Sequence, residues 1–184
     1  MQPAHYALVA YVRNPVGEFV ENLRRELHPQ LPHLPAHLTI LPPRLLPGSE
    51  SDALELVESV CHQVQPFEVK LGDVETFVPV TPTVFVRVAH AGYRMRELHD
   101  RMNVAPLRAE EQWPYMPHLT IVTMTTTEQA QAAFSIARGR WAQYSGIRRI
   151  PVEALTFVRE GPDGNWVDLT PVPLGPSLVP RSRR

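Results

Sequence analysis

The chain has 184 residues, of which 43% are hydrophobic, and its formal net charge at pH 7 is −1. This length and apolar content predict a single domain with its own hydrophobic core. The near-neutral charge argues against a protein that coats nucleic acid non-specifically, because such binding requires a basic surface.

Cys61 is the only cysteine, which excludes an intrachain disulfide and a cysteine metal cluster. It stands in a helical pattern with Val57, Val60 and Val64, so a buried, inert thiol is predicted. The sequence shows neither an apolar run of membrane-spanning length nor a basic-then-apolar leader. We therefore expect a cytoplasmic protein without a membrane anchor, and a monomer.

The first half of the chain alternates strand and helix patterns. Asn14 is a predicted N-cap, and Pro15 is a predicted first helical residue. The predicted elements are a strand near 6–12, a helix near 15–27, a strand beginning at His37, a helix near 52–64 and a strand near 67–78.

The second half repeats this order, and a capping-box pattern at Thr125 and Glu128 predicts the start of its second helix. The predicted elements are a strand near 83–88, a helix near 91–102, a strand beginning at His118, a helix that turns Trp141 inward, and strands near 152–158 and 166–169. We expect an α+β domain over residues 1–170, with internal repeats at about 5–80 and 82–160. Residues 171–184, rich in proline and arginine, are predicted to form a disordered tail or loose strap.

One tetrapeptide occurs twice, as His37-Leu38-Thr39-Ile40 and as His118-Leu119-Thr120-Ile121. Side chains alternate between the two faces of a strand, so each copy presents its histidine and threonine on one face and its leucine and isoleucine on the other. Each copy therefore offers an imidazole and a hydroxyl together, anchored by apolar side chains.

The paired motifs resemble those of the 2H phosphoesterase superfamily, and most closely the bacterial 2′-5′ RNA ligase and cyclic phosphodiesterase group, which is defined by two His-x-Thr-x motifs. The resemblance extends over most of the chain. It implies a two-lobed, pseudo-twofold α+β fold, in which antiparallel-type sheets are backed by helices and the two histidine strands face each other across a central cleft.

The resemblance also implies a reaction at phosphorus. His37 and His118 would act as general base and general acid, because an imidazole can hold either protonation state near neutral pH. Thr39 and Thr120 would donate hydrogen bonds to the non-bridging phosphate oxygens. No metal or other cofactor is expected. The sequence leaves open which histidine is the base.

The implied substrates are RNA ends, oligonucleotides or cyclic nucleotides that carry a 2′,3′-cyclic phosphate or a 2′-5′ linkage, with ligation as the reverse reaction. Some family members carry an arginine at the position of Thr123, so a tight grip on a second phosphate is in doubt. Further candidate substrate contacts are Arg44 and Arg87, for which an ordinary surface position is the alternative, and Tyr11 and Phe77, for which core packing is the alternative.

Two other functions stay open. The same residues could act on another small cyclic phosphate such as that of ADP-ribose, or the protein could bind an RNA end without turnover. His33 and His37 have the spacing of a helical metal pair, but Pro32 and Pro35 predict an extended segment there. The chain has neither a P-loop nor a dinucleotide-binding glycine motif.

Overall fold

The computed structural model describes residues 4–32 and 34–176. It confirms the predicted α+β class. The helices are α1 (Pro15–Leu27), α2 (Glu50–Gln63), α3 (Gly92–Met102) and α4 (Thr127–Gln143). The strands are β1 (Tyr6–Tyr11), β2 (His37–Arg44), β3 (Phe67–Thr76), β4 (Thr83–His90), β5 (His118–Thr123), β6 (Arg149–Val152), β7 (Ala154–Glu160) and β8 (Trp166–Pro173).

The eight strands form one antiparallel sheet in the order β6-β3-β4-β5-β2-β1-β7-β8. The two motif strands, β2 and β5, are its central neighbours, and the pair Leu38 and Leu119 joins them. Only Glu153 separates β6 from β7, although these strands lie near opposite ends of the order. The sheet must therefore curl strongly around its centre.

The strand order is symmetric about the seam between β2 and β5, in line with the expected pseudo-twofold arrangement. The two lobes nevertheless do not coincide with the two sequence repeats. β3 follows the first repeat's helices but pairs with β4, whereas β7 follows the second repeat's helices and pairs with β1. Each lobe is thus completed by a strand from the other half of the chain, which ties the lobes together.

The helices cover one face of the sheet. Leu38, Ile40, Leu119 and Ile121, the apolar members of the two tetrapeptides, are fully buried in the core between sheet and helices. Cys61 also lies in this core, which confirms that it is buried, and burial raises the pKa of its thiol to about 12, which disfavours the reactive thiolate. The opposite face, which carries the histidines and threonines, is here called the open face.

A close contact fixes the start of α1 against the end of β1. Pro15 occupies the first turn of α1 and Asn14 is its N-cap, as predicted. The Asn14 amide donates to the carbonyl of Arg149 instead of capping the helix. A β-carbon on Gly17 would lie 1.9 Å from the carbonyl oxygen of Val12, so only glycine allows this approach.

Three predicted boundaries differ from the structure, the first two at Glu153 and at the start of α4. The expected strand 152–158 is two strands, β6 and β7, that pair with different partners on either side of Glu153. The capping box forms one residue later than expected, since Thr126 accepts from the main chain of Gln129 and the Gln129 side chain accepts from that of Thr126. Thr125 and Glu128 therefore do not form the box.

The last strand is also longer than predicted, because β8 continues to Pro173 along β7. The predicted tail began at Pro171, which the structure instead places within β8. Val172 and Leu174 are buried, and prolines are tolerated because β8 is an edge strand with one open side. The rest of the predicted tail, residues 177–184, lies outside the described residues. No helix in the described part of the chain is long and apolar enough to cross a membrane.

Candidate active site

The two histidines and two threonines of the repeated motif meet on the open face. Extending the antiparallel register of the Leu38 and Leu119 pair by one residue places His37 beside Thr120 and His118 beside Thr39. The histidines are then diagonal neighbours, a relation that typically separates residues by about 7 to 8 Å. Each imidazole thus has the hydroxyl of the other motif next to it.

Matching hydrogen bonds orient the two imidazoles. Nδ1 of His37 lies 2.8 Å from the carbonyl oxygen of Pro35, and Nδ1 of His118 lies 2.7 Å from that of Met116. Because a carbonyl can only accept, each Nδ1 must carry the proton and donate it. Within the described residues nothing bonds to either Nε2, which is therefore the nitrogen left for a ligand.

Both imidazoles favour the neutral state. Burial lowers the pKa of His37 below its ordinary value, and the positive charges of Arg24 and His118 lower it further. Burial likewise lowers the pKa of His118. The charge of His118 is the smallest of these effects on His37.

Side chains from opposite halves of the chain hold the motif backbones in place. Arg24 on α1 is buried, and its guanidinium donates to the carbonyl oxygens of Thr120 (3.0 Å) and Ile121 (2.7 Å) on β5 and of Leu34 before β2. The Tyr115 hydroxyl, just before β5, donates to the carbonyl of Thr39 on β2 at 2.7 Å. These bonds span the seam that the Leu38 and Leu119 pair closes.

Arg24 and Tyr115 were not predicted from the sequence. Arg24 lies on the buried side of α1, as His99 lies on the buried side of α3. The His99 ring stacks on Tyr115, with ring centroids 4.2 Å apart. A charged residue on an otherwise apolar helix face was a usable signal. Tyr115 lies in an irregular segment, where no periodicity marks it.

Arg44 does not reach the open face, so its expected substrate contact is wrong. Its side chain is buried, and its three guanidinium nitrogens donate to Pro42, Asn103, Leu107 and Glu111. Glu111 in turn bonds to Nε2 of His99. Arg44 therefore anchors the network behind Tyr115.

An aromatic cluster and an arginine surround His118. Phe85 and Phe77 stack on each other, with centroids 4.1 Å apart, and each meets the His118 ring edge-on at 5.2 Å. Arg87 pairs directly across from His118, and half of its side chain is exposed. Phe85 was missed, although its alternation with Val84, Val86 and Val88 points it to the open face.

His37 has a different surrounding. Tyr11 lies directly across from it, donates its hydroxyl to Asp168 at 2.5 Å and packs beneath the Arg13 guanidinium. Tyr11 and Trp166 line a small, mainly apolar pocket of about 110 Å³, together with His37 and Thr39. The structure thus brings Tyr11, Phe77 and Arg87 close to the histidines, and their contact with substrate stays a prediction.

Metal-ligating side chains do not cluster in the described ranges 4–32 and 34–176, where no group of three or more His, Cys, Asp or Glu residues could hold an ion. The spacing of His33 and His37 cannot be compared with a metal pair, because His33 lies outside these ranges.

A family model described as the 2′-5′ RNA ligase superfamily matches residues 12–164. Among curated proteins, a provisionally named phosphoesterase of Halalkalibacterium halodurans is 22% identical over 163 residues, covering 88% of this chain and 92% of the relative. A second, from Oceanobacillus iheyensis, is 25% identical over 119 residues, covering 63% of this chain and 68% of the relative.

Solved structures share the fold at low sequence identity. Escherichia coli LigT in complex with phosphate superposes with a TM-score of 0.66 at 13% identity, covering 95% of this chain and 99% of LigT. The LigT complex with 3′-AMP gives a TM-score of 0.65 at 14% identity with the same coverage.

Proposed function

Because this chain belongs to the 2′-5′ RNA ligase superfamily of phosphoesterases, we propose that it opens 2′,3′-cyclic phosphates or cleaves 2′-5′ phosphodiesters of RNA ends and nucleotides. Membership supports phosphodiesterase activity in general. The finer proposal adds a metal-independent mechanism with His37 and His118 as the acid and base, and ligation as its reverse.

The observation that carries this proposal is the matched orientation of the two imidazoles. His37 and His118 each donate Nδ1–H to the carbonyl two residues upstream, which leaves both Nε2 atoms to act on one ligand between them. Phosphodiester hydrolysis needs a proton removed from the nucleophile and another delivered to the departing oxygen. Two oriented imidazoles on one face can do both.

In the proposed hydrolysis of a 2′,3′-cyclic phosphate, one neutral imidazole removes a proton from water as the water oxygen bonds to phosphorus. The other, protonated imidazole gives its proton to the ribose oxygen as the P–O bond breaks. The Thr39 and Thr120 hydroxyls, which bond to no other described side chain, donate to the non-bridging oxygens as negative charge grows there. The imidazoles end with their protonation states exchanged, and solvent restores them.

The proposed ligands are RNA ends, oligonucleotides or cyclic nucleotides. LigT, which shares the fold, has been crystallised with 3′-AMP, and this supports a nucleotide as the ligand class. We propose a cytoplasmic location, since the single cysteine is buried and suits a reducing compartment. A monomer is proposed as the simplest assembly.

The test is a substrate panel incubated with EDTA: nucleoside 2′,3′-cyclic phosphates, 2′-5′ dinucleotides and the cyclic phosphate of ADP-ribose. We expect turnover of a cyclic nucleotide or a 2′-5′ dinucleotide. Turnover of the ADP-ribose compound alone would instead make the cyclic phosphate of ADP-ribose the substrate class. Binding without turnover of any compound would overturn catalysis and leave a protein that only binds RNA ends.

A further inference from the structure

A groove of about 380 Å³ lies next to His118, where β4 ends and α3 begins. Its wall includes Arg87, His90, Tyr93, Arg96, Met116 and Pro117, and we call it the basic groove. Arg87 pairs across from His118, and Met116 accepts the Nδ1–H of that histidine. The basic groove therefore begins beside His118 and shares Arg87 and Met116 with the surroundings of that histidine.

The charge in the basic groove is positive and largely uncompensated. Its lining includes two arginines and no aspartate or glutamate among the described residues. Arg96 is exposed and makes no ion pair within residues 4–32 and 34–176. Arg87 contacts Glu75 at 3.4 Å, but both side chains are well exposed, so this pair is weak and can be exchanged for another anion.

The basic groove also carries an aromatic ring without a packing role. Tyr93 is 66% exposed, so most of its ring is open to a ligand. Arginines beside an exposed aromatic ring are the combination by which proteins bind single-stranded nucleic acid, with phosphate on the cation and a base on the ring.

We propose that the basic groove binds a second nucleotide of the substrate, with its phosphate on Arg96 and Arg87 and its base on Tyr93. The inference rests on the proposed function and deepens it, because it makes oligonucleotide ends better ligands than mononucleotides. Thr123 stands where some family members carry an arginine. Under this proposal, Arg87 and Arg96 would supply the positive charge on the His118 side of the cleft instead.

The test compares the Kd of a nucleoside 3′-phosphate with that of a dinucleotide ending in the same group, which requires no turnover. We expect the wild-type protein to prefer the dinucleotide by at least about tenfold, the effect of one charge-assisted contact. Arg96→Gln and Tyr93→Ala should each reduce this preference several-fold. Arg96→Gln should also lower the salt dependence of dinucleotide binding by about 0.7 in log–log slope.

Arg138→Gln on α4 is the matched control, because it removes the same charge from an exposed position on the helix-covered face. It should keep the dinucleotide preference. Equal affinity for the two ligands, binding of neither, or a preference that Arg96→Gln and Tyr93→Ala leave intact would overturn the inference. Failure of the proposed function would show separately, as absent turnover in the substrate panel.

Discussion

The guanidinium of Arg24 lies beneath the second motif and donates to the carbonyl oxygen of Thr120 at 3.0 Å. Arg24 belongs to α1, in the first half of the chain, whereas Thr120 lies in β5, in the second half. Tyr115 makes the reciprocal bond to Thr39. The relative position of the two motifs thus depends on side chains that each come from the other half.

Arg24 should affect both the rate and its pH dependence. Arg24→Met removes three main-chain hydrogen bonds and a positive charge that lowers the pKa of His37. Burial is the largest cause of this lowered pKa; the hydrogen bond to the Pro35 carbonyl opposes it, and the charges of Arg24 on α1 and His118 on β5 lower the pKa further. We expect kcat/KM to fall by about 10- to 100-fold as the motif shifts. One limb of the pH–rate profile should move to higher pH, because the His37 pKa rises.

Arg24→Lys retains the charge but not the three-way hydrogen bonding, so it should lose rate with much less displacement of the limb. Thermal unfolding of both variants would show how much folded protein remains. Lowered rates with limbs identical to those of the wild-type protein in both variants would leave Arg24 with a structural role alone.

The threonine hydroxyls should matter without affecting the fold. Thr39→Val and Thr120→Val keep the side-chain shape and remove the proposed donor to phosphate, so each should lower kcat by about 10²-fold. Thr123→Val on the same strand as Thr120 is the control, since Thr123 bonds to Thr83 and is exposed. If steady-state kinetics gave the same kcat for Thr39→Val, Thr120→Val and Thr123→Val, the two motif threonines would have no role in the mechanism.

The pH dependence of kcat/KM should be bell-shaped, since one imidazole must be neutral while the other is protonated. Burial lowers both pKa values, so the protonated form is scarce above the ordinary value of about 6.5 and the maximum should lie on its acid side. The profile should be the same with EDTA. A rate that rises to a plateau with pH and is lost on chelation would instead indicate metal-assisted hydrolysis.

Two glycines in helices should respond in opposite directions to alanine. Gly17→Ala places a methyl group 1.9 Å from the Val12 carbonyl oxygen, so α1 must move and the free energy of unfolding should fall by about 1 to 3 kcal/mol. A β-carbon on Gly139 of α4 would have nothing within 4 Å, so Gly139→Ala should raise that free energy by about 0.5 to 1 kcal/mol. Urea unfolding measures the free energy of unfolding of both variants. If Gly17→Ala and Gly139→Ala lowered it equally, the packing argument would be contradicted.

Local periodicity was sufficient to predict most elements and the shared face of His37 and Thr39. It could not show that Glu153 divides one alternating run into strands on different parts of the sheet, because both strands keep the same period. It also placed Arg44 near the substrate, since proximity to a motif in sequence does not reveal which way a side chain turns.

The contacts of Arg24 and Tyr115, which hold the two motifs in place, could not be predicted from the sequence for a related reason. Arg24 and Thr120 are distant in the chain, and their contact exists only because α1 packs on the other half's strand. The charge of Arg24 on an apolar helix face marks the residue itself, but a single sequence contains no local pattern that identifies the strand it contacts. By contrast, Phe85 could have been found from the alternation that predicted its strand.

The most direct measurement of the paired mechanism is kcat/KM for His37→Ala, His118→Ala and the double variant on whichever substrate the panel identifies. Each single variant should lose at least about 10²-fold while staying folded, because both rings are partly exposed at the open face. The double variant should be little worse than either single one, since the two residues act as a unit. Near-normal turnover by either single variant would contradict the mechanism.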